Sequence, residues 1–310
     1  MNVGNMADII KLVLNHNVKM RKTRFILTVV FAAVLASCGT TSTVPITGRK
    51  QHLLVNDEQV LSLSNQQYQE YMKTARPSVN AANTAMVKRV GQRLASAVVA
   101  YLNANGLGSE VSQYKWEFNL VQDKNVNAFC MPGGKIVVYE GLLPVTGDEA
   151  SLAIVLGHEI AHAVAKHSAE RLSNQVRQQY GGRILGSVLS GSGASDGLQQ
   201  LGATAFGLGA TLGSAAYSRK QESEADRLGI IFAAMAGYDP RVAVSFWQRM
   251  SSASGGGSSS LFSDHPSDSK RVASIQEWMP EAMNYYKGGG TTTNRQTPSA
   301  TKTIHISTKK

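Results

Sequence analysis

The chain has 310 residues, 43% of them hydrophobic, and this length and composition exclude a chain that is disordered throughout. Two cysteines permit one disulfide bond at most, which excludes a disulfide-rich scaffold. The formal net charge of +10 comes either from a basic surface that binds nucleic acid or a membrane, or from an average over unlike segments.

The amino-terminal residues have the pattern of an export signal. Basic residues at positions 21–24 precede an apolar run over residues 25–36. This run of 12 residues is shorter than the roughly 20 that span a bilayer as a helix. We therefore predict a signal peptide over residues 1–37 and expect Met20 to be its natural first residue.

The end of this segment predicts a lipid anchor. The sequence Leu-Ala-Ser-Cys that ends at Cys38 resembles the cleavage box of bacterial lipoproteins, which implies lipidation at Cys38. Ordinary cleavage after Ala36 is the alternative. Gly39 follows the cysteine, and by resemblance to lipoprotein sorting this favours the outer membrane, with the protein facing the periplasm. Residues 38–55 are then a lipid-anchored tether.

Two helices and two strands are predicted in the first half of the mature chain. Apolar residues recur at helical spacing over residues 57–71 and 81–102. Residues 116–121 alternate large apolar and polar side chains, and residues 135–139 are β-branched and bounded by glycines. These elements predict a mainly helical α+β fold with a small β-sheet.

A longer helix is predicted next. Thr146 and Glu149 form a capping box at its start, and Gly181 ends it. Over residues 152–156 the sequence is apolar on all sides, which predicts a buried helix.

This helix contains a metal-binding motif. Residues 158–162 read His-Glu-Ile-Ala-His, an HExxH sequence. Histidines four residues apart on a helix can reach one metal ion, and Glu159 lies beside them to accept a proton from water. Two core histidines are the structural alternative, which is disfavoured because each buried nitrogen and carboxylate would need a partner. We predict that His158 and His162 bind one Zn²⁺ ion per chain.

A catalytic zinc ion needs a third protein ligand and keeps one position open for water. Ser218 and Gln221 form a capping box for another helix, which carries Glu222 and Asp226 four residues apart on one face. Glu224 lies about 200° around this helix from Glu222 and is expected to point away from the metal. The residues alone leave Glu222 and Asp226 both open as the third ligand.

Residues 222–226 read Glu-Ser-Glu-Ala-Asp. Together with HExxH, this segment resembles the zinc metallopeptidase family that includes HtpX, the CAAX prenyl proteases and the BepA-like periplasmic enzymes. The resemblance covers roughly residues 49–283. It implies a zincin or gluzincin-like domain over residues 56–286, with the HExxH helix buried at its centre. It also implies that Glu222 is the third ligand and that Asp226 orients a ligand histidine.

The resemblance also implies a substrate-binding strand. Three segments ahead of the metal helix, residues 127–129, residues 132–134 and the strand over residues 135–139, are similar to the edge strand of this family, along which an extended peptide pairs by main-chain hydrogen bonds. The expected substrate-binding residues are Asn127, Ala128, Lys135, Ile136 and Val137.

Two late residues resemble family elements near the metal. His265 is expected to act in catalysis, by stabilising the tetrahedral intermediate or by occupying a fourth metal position at rest. Its alternative is to cap a helix that begins near Ser267. Arg271 takes part either in a structural ion pair or in catalysis. His167 lies about 140° around the helix from His162 and is not expected to be a ligand.

The resemblance implies that the chain hydrolyses peptide bonds. Zinc would lower the pKa of its bound water and polarise the scissile carbonyl, while Glu159 takes the water proton and returns it to the leaving amine. With the export signal, this predicts a metalloendopeptidase of the bacterial cell envelope that acts on unfolded or misassembled proteins, with envelope assembly proteins as partners.

The alternative function is a lipid-anchored, chaperone-like assembly factor with a structural or auto-inhibited zinc site. The presence of Glu159 argues against it, because a closed structural zinc site needs no general base.

The net charge is distributed unevenly. Residues 1–37 hold five Lys+Arg and one Asp, and residues 287–310 hold five Lys+Arg and no acid. The core over residues 38–286 is left with 21 basic and 20 acidic residues, a net charge of +1. We therefore predict a disordered basic tail over residues 287–310 and no binding of nucleic acid.

Overall fold

The computed structural model describes residues 40–180, 217–253 and 270–287. The predicted signal peptide, Cys38, His265 and all but the first residue of the predicted basic tail lie outside these ranges.

The described chain begins with an antiparallel hairpin. Strand β1 (Thr40–Thr43) pairs with β2 (Lys50–Leu53) around a turn in which Ile46 and Gly48 both adopt left-handed backbone angles. Val44, in this turn, is buried in the core, as are Leu53 and Val55 beyond it. The prediction of a tether through residue 55 is therefore wrong for residues 40–55, because their apolar side chains pack against the domain.

The two predicted helices are confirmed. Helix α1 (Asp57–Thr74) begins at a capping box formed by Asn56 and Gln59, and α2 (Ala81–Ala104) begins at Asn80. A single turn, α3 (Gly108–Val111), follows. The apolar face of α2 is buried in the core at Val87, Val90, Leu94, Val98 and Leu102.

A three-stranded sheet lies between α2 and the metal helix in the chain. Strands β3 (Glu117–Val121), β4 (Ala128–Met131) and β5 (Lys135–Tyr139) are arranged in the order β3-β5-β4. Strand β5 is parallel to β3 and antiparallel to β4. The prediction that residues 135–139 form an edge strand is wrong, because β5 is paired on both sides. Strand β4 is an edge of this sheet.

A 3₁₀ turn (Glu140–Leu142) and α4 (Leu143–Thr146) lead from the sheet to helix α5 (Glu149–Val164). The side chain of Asp148, not Thr146, caps α5 by accepting a hydrogen bond from the Ser151 backbone nitrogen. The predicted capping box is wrong because the hydroxyl of Thr146 donates to a carbonyl of its own turn instead.

The metal helix is shorter than predicted. The chain breaks at Lys166, which has a positive φ of 54°, and helix α6 (His167–Tyr180) follows in a new direction. Left-handed backbone is uncommon for a lysine. Its side chain is held there by ion pairs at 2.8 Å to both Asp57 and Glu110.

The remaining described helices are α7 (Arg219–Met235), α8 (Val242–Ala253) and α9 (Arg271–Tyr285). The capping box predicted at the start of α7 is present. Beyond the end of α7, Gly237 adopts the left-handed angles common after helix ends.

Helix α5 lies at the centre of the fold, as predicted. It packs most extensively on α7, and also on α2, β4 and α8. Every residue of α5 from Ser151 to Val164 is buried. Among the described residues, no helix combines the length and hydrophobicity that crossing a membrane requires.

Candidate metal centre

The two histidines of the HExxH motif converge with a carboxylate from a second helix. Nε2 of His158 and Nε2 of His162 lie 3.0 Å apart on α5. The two carboxylate oxygens of Glu222, on α7, each lie 3.5 Å from one of these nitrogens. These three buried side chains form a group that could hold a metal ion, with all donor atoms within 4.8 Å of one another.

The spacing of these atoms fits zinc. Ligand atoms bound tetrahedrally to zinc at about 2.0–2.1 Å lie about 3.3 Å from one another. The separations of 3.0 and 3.5 Å lie on either side of this value. A set of two imidazoles and one carboxylate is also a common catalytic zinc site, since it leaves one position for water.

Asp226 and Arg271 hold the side chains of His158 and Glu222 in place. Nδ1 of His158 lies 2.9 Å from Oδ1 of Asp226, which leaves Nε2 to face the metal group. Arg271 donates from Nε to Asp226 at 2.6 Å and from Nη2 to Glu222 at 2.9 Å. Its guanidinium group also lies 4.0 Å from the centre of the Trp247 ring. The ion-pair prediction for Arg271 is therefore confirmed.

Two neighbouring carboxylates shift the pKa of His158. Burial by itself lowers the pKa of His158, but hydrogen bonds to Asp226 and Glu222 outweigh this effect and raise the pKa to about 10. Binding of a metal ion at Nε2 therefore competes with a proton.

The second histidine of the motif, His162, lies between two rings. Tyr217 stacks on it with ring centres 3.9 Å apart. On the other nitrogen, Nδ1 of His167 lies 2.9 Å from Nδ1 of His162. His167 does not belong to the metal group, in agreement with the prediction, but its contact with His162 was not anticipated.

Two further residues extend this contact. Nε2 of His167 lies 3.0 Å from Oε2 of Glu224, and Glu224 accepts a 2.7 Å hydrogen bond from Nε of Arg49. Burial lowers the pKa of His167 although Glu224 opposes this effect. Burial raises the pKa of Glu224, but hydrogen bonds from His167, Thr47 and Arg49 outweigh it and hold the pKa at about 2.

The sequence does not predict the contacts that Arg49, His167 and Glu224 make beside the metal group. Glu224 points away from the metal group, as expected, and the spacing of His162 and His167 predicts only that His167 is not a ligand. The rings of His162 and His167 cannot face each other on one continuous helix. A helix that breaks after residue 164 can bring these two rings together, and this possibility was the available signal.

Glu159 lies beside the ligands on the same helix, with 2% of its surface exposed. Its helix packs against β4, where burial and then the charge of Glu159 raise the pKa of the Cys130 thiol.

The predicted substrate residues fall into two groups. Asn127 and Ala128 lie at the start of the edge strand β4, and Ala128 donates a backbone hydrogen bond to the Asn127 side chain. Lys135, Ile136 and Val137 lie in the central strand β5, where neighbouring strands occupy both sides. Their predicted pairing with substrate is therefore wrong, and the available strand edge is that of β4.

A buried HExxH helix whose histidines converge with a glutamate from another helix defines a metal-dependent hydrolase of the gluzincin type. The model of peptidase family M48 matches residues 81–279, and the chain belongs to this family.

Known relatives share this domain. The chain is 40% identical over 178 residues to the mitochondrial metalloendopeptidase OMA1 of Schizosaccharomyces pombe, covering 56% of this chain and 50% of that protein. It is 29% identical over 232 residues to the metalloprotease LoiP of Escherichia coli, covering 73% and 82%. It is 35% identical over 136 residues to a proposed beta-barrel assembly-enhancing protease of Vibrio cholerae, covering 43% and 28%. The chain thus spans about half the length of the Schizosaccharomyces relative.

Proposed function

We propose that this chain is a zinc-dependent endopeptidase of the bacterial cell envelope, which hydrolyses peptide bonds in unfolded or misassembled proteins. The convergence of His158, His162 and Glu222 at zinc-ligand spacing carries the proposal. Membership of a peptidase family supports the reaction. Both the Escherichia and the Vibrio relatives are named as proteases.

Each protein group has a separate role in this reaction. When bound, zinc supplies Lewis-acid chemistry that acidifies a water molecule and polarises a carbonyl group. Glu159 accepts the proton of the attacking water and passes it to the leaving amine. Asp226 keeps the hydrogen on Nδ1 of His158, so that Nε2 is the ligand atom.

The edge of β4 is the proposed substrate strand. The backbone nitrogen of Tyr139 donates to the carbonyl of Asn127, so the residues of β4 that face β5 are 127, 129 and 131. The backbone groups of Ala128 and Cys130 then point away from β5, and the Ala128 nitrogen donates to the side chain of Asn127. An extended peptide could pair with the Cys130 nitrogen and the carbonyl groups of this edge, and this mode of binding favours unfolded polypeptides over folded ones.

The envelope location rests on the sequence around Cys38. The lipoprotein-like cleavage box there predicts a lipid anchor, and the Vibrio relative is named for the assembly of β-barrels. The Schizosaccharomyces relative is named as mitochondrial, which makes a mitochondrial location the competing one. Mass analysis of the mature amino terminus distinguishes them: an acylated Cys38 supports the envelope, and an unmodified Cys38 contradicts the anchor.

The experiment that tests the activity compares the wild type with Glu159→Gln. Zinc content is measured by elemental analysis, and cleavage is measured on an unfolded, carboxymethylated protein. The expected result is full zinc content with cleavage lost in the variant. Glu149→Gln, the same change at the start of the same helix, is the matched control and should keep full cleavage. Cleavage by Glu159→Gln at the wild-type rate would contradict the role of Glu159 as the base, whereas a zinc-loaded wild type that cleaves nothing would favour the assembly-factor alternative.

A further inference from the structure

A chain of hydrogen bonds connects His162 to the amino-terminal hairpin. Nδ1 of His162 lies 2.9 Å from Nδ1 of His167, whose Nε2 lies 3.0 Å from Oε2 of Glu224. Glu224 accepts hydrogen bonds from Nε of Arg49 at 2.7 Å and from the hydroxyl of Thr47 at 2.6 Å. His167 is fully buried, and Glu224 is almost so. The chain therefore runs through the interior, where water does not compete for its hydrogen bonds.

The hydrogen bonds of this series all donate in the same direction, from His162 towards Glu224. Nε2 of His162 faces His158 and Glu222, so this nitrogen is the metal-facing one and Nδ1 carries the ring hydrogen. Nδ1 of His167 must then accept from His162, which leaves Nε2 of His167 to donate to the Glu224 carboxylate. Each hydrogen bond in the series thus has one donor and one acceptor.

We propose that His167 is a positioning residue for His162, and that Glu224 and Arg49 hold His167 in this role. The inference rests on the proposed binding of zinc by His162 and assigns how that ligand is oriented. It gives the second histidine of the HExxH motif a support equivalent to the one that Asp226 and Arg271 give to His158.

Both supports end in a carboxylate paired with an arginine, but they differ in length. His158 contacts its carboxylate directly, whereas His162 reaches Glu224 through the ring of His167. The break at Lys166 makes this possible. On a continuous helix His167 would lie about 140° around the axis from His162.

Arg49 connects α6 and α7, the two helices that carry His167 and Glu224. Besides Glu224 on α7, it binds Glu170 on α6 through two hydrogen bonds, at 2.7 and 3.0 Å. Gln221 donates to the same Glu170 carboxylate at 2.8 Å. A guanidinium group bonded on two sides has a fixed orientation, and it therefore fixes the Glu224 carboxylate as well.

The arginine comes from outside the segment that matches the family model. That match begins at residue 81, and Arg49 belongs to β1–β2, the hairpin over residues 40–53. The hairpin thus contributes to the orientation of a metal ligand, although it lies far from the motif in sequence.

The test measures zinc affinity and ligand geometry separately from catalysis. Zinc dissociation constants are determined by competition with a chelator, and the visible spectrum of the Co²⁺-substituted protein reports ligand geometry. We expect His167→Ala and Glu224→Ala each to weaken zinc binding about 10- to 100-fold and to shift the Co²⁺ bands. Glu224→Gln keeps an acceptor for His167 and should fall between Glu224→Ala and the wild type.

Matched controls lie on the exposed side of the same hairpin. His52→Ala removes an exposed histidine and Lys50→Ala removes an exposed cation next to Arg49, and both should leave zinc affinity and the Co²⁺ spectrum unchanged. Thermal unfolding of the metal-free proteins identifies any variant that does not fold. If His167→Ala does not fold, Glu224→Gln tests the proposal instead. This change lies two hydrogen bonds away from His162, the proposed metal ligand.

The outcomes are distinguishable. Wild-type zinc affinity and an unchanged Co²⁺ spectrum in the folded His167→Ala protein, or in Glu224→Gln when His167→Ala does not fold, would overturn the positioning role. Failure of the proposed function has a different signature: the wild type would bind no zinc, or His162→Ala would bind it as tightly as the wild type.

Discussion

Gly157 and Gly229 bring the two ligand-bearing helices into backbone contact. A Cβ atom on Gly157 would lie 2.6 Å from the carbonyl oxygen of Gly229, and one on Gly229 would lie 2.7 Å from the backbone nitrogen of His158. Both neighbours are backbone atoms, which cannot move aside as a side chain can. Any larger residue at either position therefore has to separate the helix of His158 from the helix of Glu222.

We predict that Gly229→Ala lowers the free energy of unfolding by about 1–3 kcal/mol, because it overpacks this contact. This is the opposite of the usual effect of Gly→Ala inside a helix, where alanine is favoured by about 1 kcal/mol. Zinc affinity should fall as well, since the ligands move apart. Denaturant unfolding and chelator competition measure the two effects. Ser223→Ala, at an exposed position of the same helix, is the control, and an equally stable Gly229→Ala would contradict the prediction.

Arg271→Ala should destabilise the metal-free protein by about 3–5 kcal/mol, because it removes the guanidinium group from the buried Asp226 and Glu222 carboxylates, whose two charges then exceed the single charge of protonated His158. Arg271→Lys should recover only part of this loss, since an ammonium group lacks the planar fork that reaches both carboxylates. Urea unfolding of the metal-free proteins provides the measurement. The exposed Arg241, paired with Asp239, serves for comparison: its change to alanine should cost at most about 1 kcal/mol.

Removal of the metal should lower the thermal stability. Free zinc at about 100 times its dissociation constant stabilises the folded state by about 2.7 kcal/mol. For a domain of this size, chelation should therefore lower the Tm by roughly 5–10 °C. Calorimetry with and without chelator measures the shift. Glu222→Ala should show little shift on chelation, and an undiminished shift in that variant would move the third ligand elsewhere.

Cys130→Pro should reduce cleavage while leaving zinc content unchanged. The backbone nitrogen of Cys130 points away from β5, so proline removes a donor to substrate without removing a hydrogen bond of the sheet. The loss of one such hydrogen bond corresponds to about a 5-fold lower kcat/KM for an unfolded substrate. Cys130→Ala keeps the nitrogen and should retain activity. Equal rates for the two variants would remove β4 from the substrate site.

The sequence was sufficient for the local chemistry of the site. The four-residue spacings of His158 and His162, and of Glu222 and Asp226, predict which side chains share a helix face, and the structure brings these faces together. The helix periodicity of residues 81–102 likewise predicted the buried face of α2. These predictions succeed because they depend on geometry within one helix.

The errors concern contacts between segments. Strand β5 is central rather than at an edge, because strand order depends on which segments meet and not on the composition of any one of them. Residues 40–55 are polar enough to look like a linker, yet Val44 and Leu53 anchor them in the core. The break at Lys166 has no glycine or proline to indicate it. Tertiary ion pairs to Asp57 and Glu110 stabilise it instead.

The pairing of one arginine with two carboxylates has a consequence for which ions can be held. Glu159, Glu222 and Asp226 are all buried, and Arg271 is the buried cation that contacts two of them. With neutral histidines, these four groups sum to two negative charges in a region of low polarity. A dication brings this sum to zero, whereas a monovalent ion leaves one charge and a trivalent ion creates one of the opposite sign. Electroneutrality of the interior therefore favours divalent metals before any ligand distance is considered.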